Sequence, residues 1–262
     1  MNSALLFIGC GNMGGALALG LQKGAFNKLL FYDIETGKAS SLAARTGGES
    51  VLSLSHAVTE ASTVVLAVKP QSYPKLAADI GGYFHDHQAV ISIMAGVTIR
   101  AIAKSISARV DIVRAMPNTP ALVGEGLTAI SGGSQDAQKQ AEKLFSGVGK
   151  VIHVAEPDID AVTALSGSGP AYLFYYAEAM LKTAQKYGFD EENAKALVYQ
   201  TISGAMKLLT TSGESPVELR RRVTSPGGVT EAAIAEFKAS GFEEMVAKAI
   251  NRGVARSKAL GK

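Results

Sequence analysis

The sequence predicts an α/β domain followed by an all-helical domain. Short apolar runs typical of buried strands alternate with helical segments over residues 1–155, the order of elements that builds a parallel sheet. No convincing strand follows Glu156, and a break at Ala155, Glu156 and Pro157 separates the two patterns. We therefore expect a first domain of residues 1–155 and an all-helical domain of residues 156–262.

The first strand, Ala4 to Ile8, runs directly into a glycine-rich turn and a helix. In such a context Gly9 allows the tight turn, Gly11 lets a pyrophosphate approach the backbone, and Gly14 lets helix and strand pack closely. The alternative is a glycine turn that binds no ligand. We expect a Rossmann-type dinucleotide site whose residues in this segment are Ile8, Gly9, Gly11, Asn12, Met13 and Gly14.

The second strand, Lys28 to Tyr32, ends in Asp33, about 20 residues beyond the glycine turn. A carboxylate at this place can accept hydrogen bonds from both hydroxyls of an adenosine ribose. The alternative is that Asp33 and Glu35 only cap a turn. We favour the dinucleotide site, because the two features occur together.

The next segments complete the predicted sheet. A helix over Thr36 to Thr46 and a weak strand over Glu49 to Leu52 precede two strong strands, Ser62 to Val68 and Ala89 to Met94. Ligands of open parallel sheets bind beyond the carboxyl ends of the strands. The residues expected there, around the cofactor, are Ala67, Val68, Lys69, Pro70, Met94, Ala95 and Gly96.

Three further strands are expected, at Val110 to Ala115, Leu127 to Ile130 and Lys150 to Val154, with a helix over Ser134 to Phe145. Prolines on both sides of Asn118 indicate a rigid loop, which either orients a bound molecule or is merely a stiff connection. His85, Asp86 and His87 lack a third ligand nearby, so we interpret them as a solvated turn and expect no metal site.

The helical part begins with a short helix that is interrupted by a glycine- and serine-rich break from Ser166 to Pro170. The next helix, Ala171 to Tyr187, is apolar almost all round, which is typical of a helix buried on every side. Asp190 caps a further helix with an apolar stripe. A small helical domain can seldom cover both elements, so we expect part of this surface to meet a second subunit in an isologous dimer.

Pro216 begins another helix, and the loop Thr224 to Thr230 then leads into a helix N-terminus. Freed amides of Gly228, Val229 and Thr230 would form an anion cradle suited to a carboxylate. The alternative is a capping turn with Thr230 as the cap, and the two readings are compatible.

Composition excludes several other classes. A net charge of +3 and a single dense basic run, Arg220 to Arg222, give no reason to expect nucleic acid. No apolar stretch reaches the ~18 residues that span a bilayer, and no signal peptide is recognisable. The single cysteine, Cys10, precludes an intramolecular disulfide. We expect a cytoplasmic protein without a membrane partner.

Five motifs together resemble the pyrroline-5-carboxylate reductases over nearly the whole chain. The last two, in this order, are the most specific. The motifs are Gly9-x-Gly11-x-x-Gly14, Ala67-Val68-Lys69-Pro70, Met116-Pro117-Asn118-Thr119-Pro120, Ser166-Gly167-Ser168-Gly169-Pro170-Ala171-Tyr172 and Thr224-Ser225-Pro226-Gly227-Gly228-Val229-Thr230. The resemblance implies reduction of 1-pyrroline-5-carboxylate to L-proline with NADPH or NADH, the final step of proline biosynthesis. It also implies a dimer through intertwined helical domains, and in many relatives a decamer.

Two positions depart from the family's pattern. Relatives that prefer NADPH often carry Asn, Ser or Arg at the end of the second strand, where this chain has Asp33, which would repel a 2′-phosphate. We therefore expect NADH to serve at least as well as NADPH. Arg222 stands where some relatives have an asparagine near the cofactor, so its role stays open.

The chemistry of a cyclic imine that bears a carboxylate suggests roles for the remaining candidates. We expect amides of Gly228, Val229 and Thr230 to hold the carboxylate, and the Thr230 hydroxyl or a water to bond the imine nitrogen. Ser168 and Asn118 would help to orient the substrate. Thr230 is thus the candidate catalytic residue.

Two other functions remain open from the residues. A related imine or β-hydroxyacid reductase is one, although such hydroxyacid enzymes need a lysine early in the first long helix of the second domain, and Lys182 lies late in its helix. The other is a dinucleotide-binding regulator without turnover.

Overall fold

The structure is a computed structural model, and it describes residues 4–22 and 24–260. Within these residues, eight strands form one sheet in the order β3-β2-β1-β4-β5-β6-β7-β8. The strands are β1 Ala4–Ile8, β2 Lys28–Tyr32, β3 Glu49–Ser50, β4 Thr63–Leu66, β5 Ala89–Ser92, β6 Asp111–Met116, β7 Gly126–Ser131 and β8 Gly149–His153. The order reverses between β1 and β4, which is the switch point where open sheets of this type bind ligands.

One strand pair is antiparallel. β7 runs antiparallel to β6, whereas the other neighbouring pairs are parallel. The segment between β6 and β7 contains a 3-10 turn, Thr119–Val123, and Gly124 with a φ of 77°. It is shorter than the dozen or more residues that a parallel crossover needs, so the chain has to reverse direction here.

Six helices cover the two faces of the sheet. They are α1 Asn12–Gly20, α2 Thr36–Thr46, α3 Leu54–Glu60, α4 Tyr73–Ile80, α5 Ile99–Ser105 and α6 Gln135–Phe145. Leu17, Leu42 and Leu144 bring α1, α2 and α6 into one buried core. Val58, Ile80 and Ile102 bring α3, α4 and α5 into the core on the other face. The α/β fold predicted for the first part of the chain is confirmed.

The chain after the sheet is helical, as predicted, and its described residues beyond Glu156 contain no strand. A 3-10 turn, Glu156–Asp158, leads into α7, Ile159–Val162, and then into a π-helical turn, Thr163–Gly167. The described residues up to Ser168 form one compact unit with those from Arg252 onward, and Gly169–Asn251 form a second. The domain boundary expected at residue 155 stays a prediction.

The second unit is built from helices. The remaining helices of the chain are α8 Gly169–Lys186, α9 Glu191–Thr211, α10 Pro216–Arg222, α11 Val229–Ala239 and α12 Phe242–Leu260. The Asp190 side chain accepts a hydrogen bond from the Asn193 amide, which confirms the predicted cap of α9. Ser215 and Glu218 form a reciprocal capping box at the start of α10, in which each side chain accepts a hydrogen bond from the backbone amide of the other residue.

The burial predicted for α8 is wrong for the single chain. None of its residues is buried, and Phe174 and Tyr175 are 69% and 74% exposed. Within the second unit α9 packs against α8, but α9 itself buries only Ala194 and Val198. A unit of this size offers too little apolar surface to cover the aromatic and aliphatic side chains of α8, so aromatic side chains stay exposed on one chain.

No helix in the described residues combines the length and apolar character that crossing a membrane requires.

Candidate active site

The glycine turn at the end of β1 can be made only with glycine at its first position. Gly9 has a φ of 103°, and a Cβ atom there would lie 2.5 Å from the Ala67 carbonyl oxygen. Its amide donates to the Tyr32 carbonyl at 2.8 Å, which ties the turn to β2. The turn therefore lies directly between the carboxyl ends of β2, β1 and β4.

The other two glycines of the turn differ in their surroundings. A Cβ atom on Gly14 would lie 2.3 Å from the Gly9 carbonyl oxygen, so α1 packs against the turn more closely than any side chain would permit. Gly11 is exposed and faces open space. As the N-cap of α1 it supplies no capping side chain, so the first amides of the helix, on Asn12 and Met13, remain free for an anion such as a phosphate.

Asp33 holds the glycine turn in place. Its Oδ2 accepts a hydrogen bond from the Cys10 amide at 2.7 Å, and its Oδ1 accepts one from the Glu35 amide at 2.9 Å. The second contact is the turn cap that the sequence offered as an alternative. A carboxylate oxygen has more than one acceptor position, so both oxygens can still accept from a ribose diol.

Cys10 is a packing residue inside the turn. Its side chain belongs to the core on the α1 face of the sheet. Burial, and then the nearby charge of Asp33, raise the pKa of the Cys10 thiol to about 12. The thiol therefore stays protonated and unreactive at neutral pH.

The other predicted cofactor residues follow neighbouring strands. Ala67 donates its amide to the Ile8 carbonyl at 2.8 Å, which sets the end of β4 beside the end of β1. Lys69 is exposed just beyond this point. After β5, Met94 is buried and Gly96 turns the chain with a φ of 77°. The ends of β1, β4 and β5 are adjacent in the sheet, so these segments lie along one edge.

A cleft of about 710 Å³ flanks the glycine turn on the side of α1 and α2. Gly11 and Asn12 line it together with Lys38 and Arg45, two cations that the sequence reasoning did not consider. Lys38 donates to Glu35 at 2.6 Å, and this bond raises the pKa of Lys38. Asp33 and the segments after β4 and β5 are not part of the lining, so the cleft adjoins the predicted cofactor residues and does not enclose them.

Asn118 is fixed at both ends of its side chain. Its Oδ1 accepts from the Leu127 amide at 2.8 Å, and its Nδ2 donates to the Ser166 hydroxyl at 3.1 Å. The rigid loop therefore connects β7 to the π-helical turn Thr163–Gly167. Ser168, which follows this turn, donates its amide to the Thr163 carbonyl at 2.8 Å. The structure thus brings Asn118 and the segment of Ser168 together.

Arg114, a buried cation on β6, was not predicted from the sequence as a residue of the site. The Arg114 side chain is 2% exposed, and its terminal nitrogens lie 3.6 Å from Glu156 and 3.4 Å from Asp160. Its Nε is the buried side-chain atom without a hydrogen-bond partner among the described residues. An arginine between the apolar residues Val113 and Ala115 of a predicted strand was the available signal, since such a residue is seldom buried without partners.

The loop before α11 offers fewer amides than expected. Gly228, not Thr230, is the N-cap, and its own amide donates to the Ser225 carbonyl at 3.0 Å. The expected cradle of three amides is thereby corrected to two, because Val229 and Thr230 occupy the first helical positions, whose amides lack intrahelical partners. The Thr230 side chain lies in the same first turn.

Two acidic residues near this loop were also missed. Glu231 accepts a hydrogen bond from the Gly227 amide at 2.7 Å, so a carboxylate of the chain already lies at the start of α11. Arg222 pairs with Glu214 at 2.7 Å. An acid in the first helical turn was visible in the sequence, whereas the Arg222 pair joins residues that no local pattern connects.

The fold and these segments define a class of protein, the two-domain oxidoreductases that use a nicotinamide dinucleotide. Residues 4–96 match the family model described as NADP oxidoreductase, coenzyme F420-dependent. Residues 156–260 match the model described as pyrroline-5-carboxylate reductase dimerisation.

Individual relatives narrow the class. A pyrroline-5-carboxylate reductase of Pseudomonas aeruginosa is 38% identical over 262 residues, which cover 98% of this chain and 96% of that protein. The structure of a pyrroline-5-carboxylate reductase from Coxiella burnetii is 35% identical, with a TM-score of 0.88 and full coverage of both chains. That of the Plasmodium falciparum pyrroline carboxylate reductase, with NADP bound, is 30% identical, with a TM-score of 0.87 over 100% and 99% of the two chains. The chain belongs to the pyrroline-5-carboxylate reductase family, whose members are NAD(P)H-dependent reductases.

Proposed function

We propose that this chain reduces 1-pyrroline-5-carboxylate to L-proline with NAD(P)H, the last step of proline biosynthesis. The observation that carries the proposal is the start of α11, where free amides and a hydroxyl suit a small carboxylate, in a chain that also has the glycine turn of a dinucleotide site. The reaction requires no nucleophile and no metal, because binding and orientation of the two reactants can supply most of the catalysis.

The cofactor is held at the carboxyl edge of the sheet. The amides of Asn12 and Met13 face the pyrophosphate, Gly11 leaves room for it, and Asp33 accepts from the adenosine ribose. The segments after β4 and β5 complete the site, with Lys69 near a ribose or phosphate and the small residues Ala95 and Gly96 against the flat ring. When bound, NAD(P)H supplies the hydride for the imine carbon.

NADH serves at least as well as NADPH in this proposal. The support is the negative charge of Asp33 at the ribose position, which disfavours a 2′-phosphate. Lys38, a cation whose charge interacts with that of Asp33, is already engaged by Glu35 at 2.6 Å.

The substrate carboxylate binds the amides of Val229 and Thr230. The Thr230 hydroxyl, or a water, donates a hydrogen bond to the imine nitrogen, which must carry a proton for the amine product to form. Gly228 shapes the turn, and Ser168 contributes a hydroxyl for orientation. Asn118 keeps one amide hydrogen beyond its bond to Ser166, and it acts mainly by fixing that turn.

The functional unit is a homodimer formed through the helical domain, and its dimers are of the kind that can assemble further into a decamer. The exposed aromatic side chains of α8 support a self-association surface, since such patches are rarely left in water. A cytoplasmic location completes the proposal and is supported by the cysteine count, since a single cysteine allows no intramolecular disulfide.

Oxidation of NADH and NADPH by the purified protein on addition of pyrroline-5-carboxylate tests the function. We expect oxidation of either cofactor to depend on the imine and to yield an equal amount of proline. Binding of both molecules without oxidation would instead indicate a regulator. Oxidation of NADH or NADPH with a β-keto acid, but not with the imine, would instead indicate a β-hydroxyacid reductase of the same two-domain plan.

A further inference from the structure

We propose that Arg114 is a positioning residue for hydride transfer. Its buried guanidinium, acting through Glu156 and Asp160, fixes the loop after β5 relative to the π-helical turn that contains Ser166 and is followed by Ser168. The inference rests on the function proposed above, in which the first segment contacts the nicotinamide and the second contacts the substrate.

The cluster consists of one buried cation and two carboxylates. Arg114 is 2% exposed, whereas the side chains of Glu156 and Asp160 are 32% and 16% exposed. Each carboxylate faces a different terminal nitrogen of the guanidinium. Glu156 and Asp160 lie on successive turns of the segment that follows the sheet, so one arginine on β6 holds two points of that segment.

One carboxylate reaches the cofactor side. The Oε1 atom of Glu156 that faces Arg114 also accepts the amide of Ile99 at 2.7 Å. Ile99 is the first residue of α5 and follows the loop from Met94 to Thr98. The position of this loop, which contains the residues proposed for the nicotinamide ring, is therefore tied to Glu156 and through it to Arg114.

The other carboxylate reaches the substrate side. Asp160 belongs to α7, which continues directly into the π-helical turn Thr163–Gly167. Its Oδ1, the atom that faces Arg114, also accepts the hydroxyl of Ser257 at 2.7 Å. Ser166 in the π-helical turn accepts a hydrogen bond from Asn118, which lies in the loop just after β6, the strand that carries Arg114. The turn is thus held by Asp160 and by the loop that follows β6.

The chemistry of arginine explains why one residue can do this. A guanidinium presents its donors in a rigid planar fork and can serve two carboxylates, whereas a lysine ammonium is a compact point charge on a flexible stem. Small displacements of bound reactants slow transfer strongly, and misplacement by about 1 Å can cost ~10²-fold in rate. A cluster that sets the spacing of two reactant-binding segments therefore acts on kcat more than on cofactor affinity.

The test compares Arg114→Lys with a matched control, Lys28→Met. Lys28 is likewise one cation between two carboxylates, Glu60 at 2.7 Å and Glu49 at 3.1 Å, but it lies at the amino end of β2, away from the carboxyl ends of the strands where the cofactor is proposed to bind. For each folded protein we would measure kcat, the dissociation constant of NADH and the kinetic isotope effect with NADH deuterated at C4. We expect Arg114→Lys to lose about 10- to 100-fold in kcat, with a larger isotope effect and an NADH dissociation constant within about twofold, while Lys28→Met keeps the wild-type kcat and isotope effect.

Other outcomes overturn the inference. A folded Arg114→Lys protein with unchanged kcat and isotope effect would show that the cluster only stabilises the fold. Weaker NADH binding that accounts for the whole loss of activity in this variant would also overturn the inference. If Arg114→Lys does not fold, Asp160→Asn, which keeps shape and a hydrogen-bonding oxygen, must show the same loss of kcat, and unchanged turnover there also overturns the proposal. A wild-type protein that does not reduce the imine refutes the proposed function itself, and the inference with it.

Discussion

Replacing Asp33 with asparagine should change the cofactor preference. The variant removes one negative charge from the proposed ribose position and keeps the size and shape of the side chain. A 2′-phosphate carries nearly two negative charges, and two unit charges about 4 Å apart in water interact by about 1 kcal/mol, so the charge contributes about 2 kcal/mol against NADPH. That energy corresponds to about a thirtyfold change in the ratio of kcat/KM for NADPH to that for NADH.

The same substitution should also weaken the binding of both cofactors, because it removes a hydrogen bond from the glycine turn. Asp33 accepts amide hydrogens of Cys10 and Glu35 with separate oxygens, and the asparagine keeps only one of them as an acceptor. Loss of a hydrogen bond to a charged group costs about 1.5–3 kcal/mol, so the glycine turn should loosen and the KM of both cofactors should rise. The ratio of the two kcat/KM values separates the electrostatic effect from this common loss.

Glu60→Gln is the control, because it removes an equal charge near the amino end of β2, where Glu60 pairs with Lys28. The control should leave the cofactor ratio unchanged. An unchanged ratio in Asp33→Asn, with both KM values raised together, would refute the ribose contact and leave Asp33 a role in the turn alone.

Three further predictions concern single side chains. Thr230→Ala should fold and lose about 10²-fold in kcat if its hydroxyl donates to the imine nitrogen; steady-state kinetics check this, and unchanged turnover assigns the proton to water. Glu231→Gln should lower the KM of the imine about fivefold, because it removes a repulsion of about 1 kcal/mol between Glu231 and the bound carboxylate. Glu236→Gln, farther along α11, is the control and should leave the KM unchanged. An equal KM in both variants would contradict a carboxylate bound at the start of α11. Cys10, with its thiol pKa raised from 9.0 to about 12, should react with an alkylating reagent about 10³-fold more slowly in the folded than in the denatured protein near neutral pH. Because the fold favours the neutral thiol, the contribution of Cys10 to the free energy of unfolding is present below pH 9 and is lost as the pH rises towards 12. Equal alkylation rates in the folded and the denatured protein would contradict the burial of this thiol.

Local sequence patterns predicted the parts of the fold that depend on local chemistry. β1, β2 and α2 have the predicted bounds, since apolar runs, turn residues and helix signals lie within a few residues of one another. The glycine turn could be recognised for the same reason. Gly9 and Gly14 tolerate no side chain at their positions, so the sequence there records the backbone geometry directly.

Features that depend on distant residues could not be predicted in this way. Arg114 lies between apolar residues of β6, and only the fold brings it to Glu156 and Asp160, over 40 residues away in sequence. The loss of the Gly228 amide from the anion cradle depends on the turn geometry that carries it to Ser225. α8 is exposed because the rest of its unit has too little apolar surface to cover it. This depends on the whole unit and not on the sequence of the helix.

Hydride transfer to the imine can be tested most directly by following the transferred hydrogen. The purified protein would be given pyrroline-5-carboxylate and NADH carrying deuterium at the transferred position of C4, and the product would be analysed by mass spectrometry. We expect L-proline with one deuterium on the ring carbon that was the imine carbon. Proline without deuterium, or no proline while both reactants are bound, would contradict it.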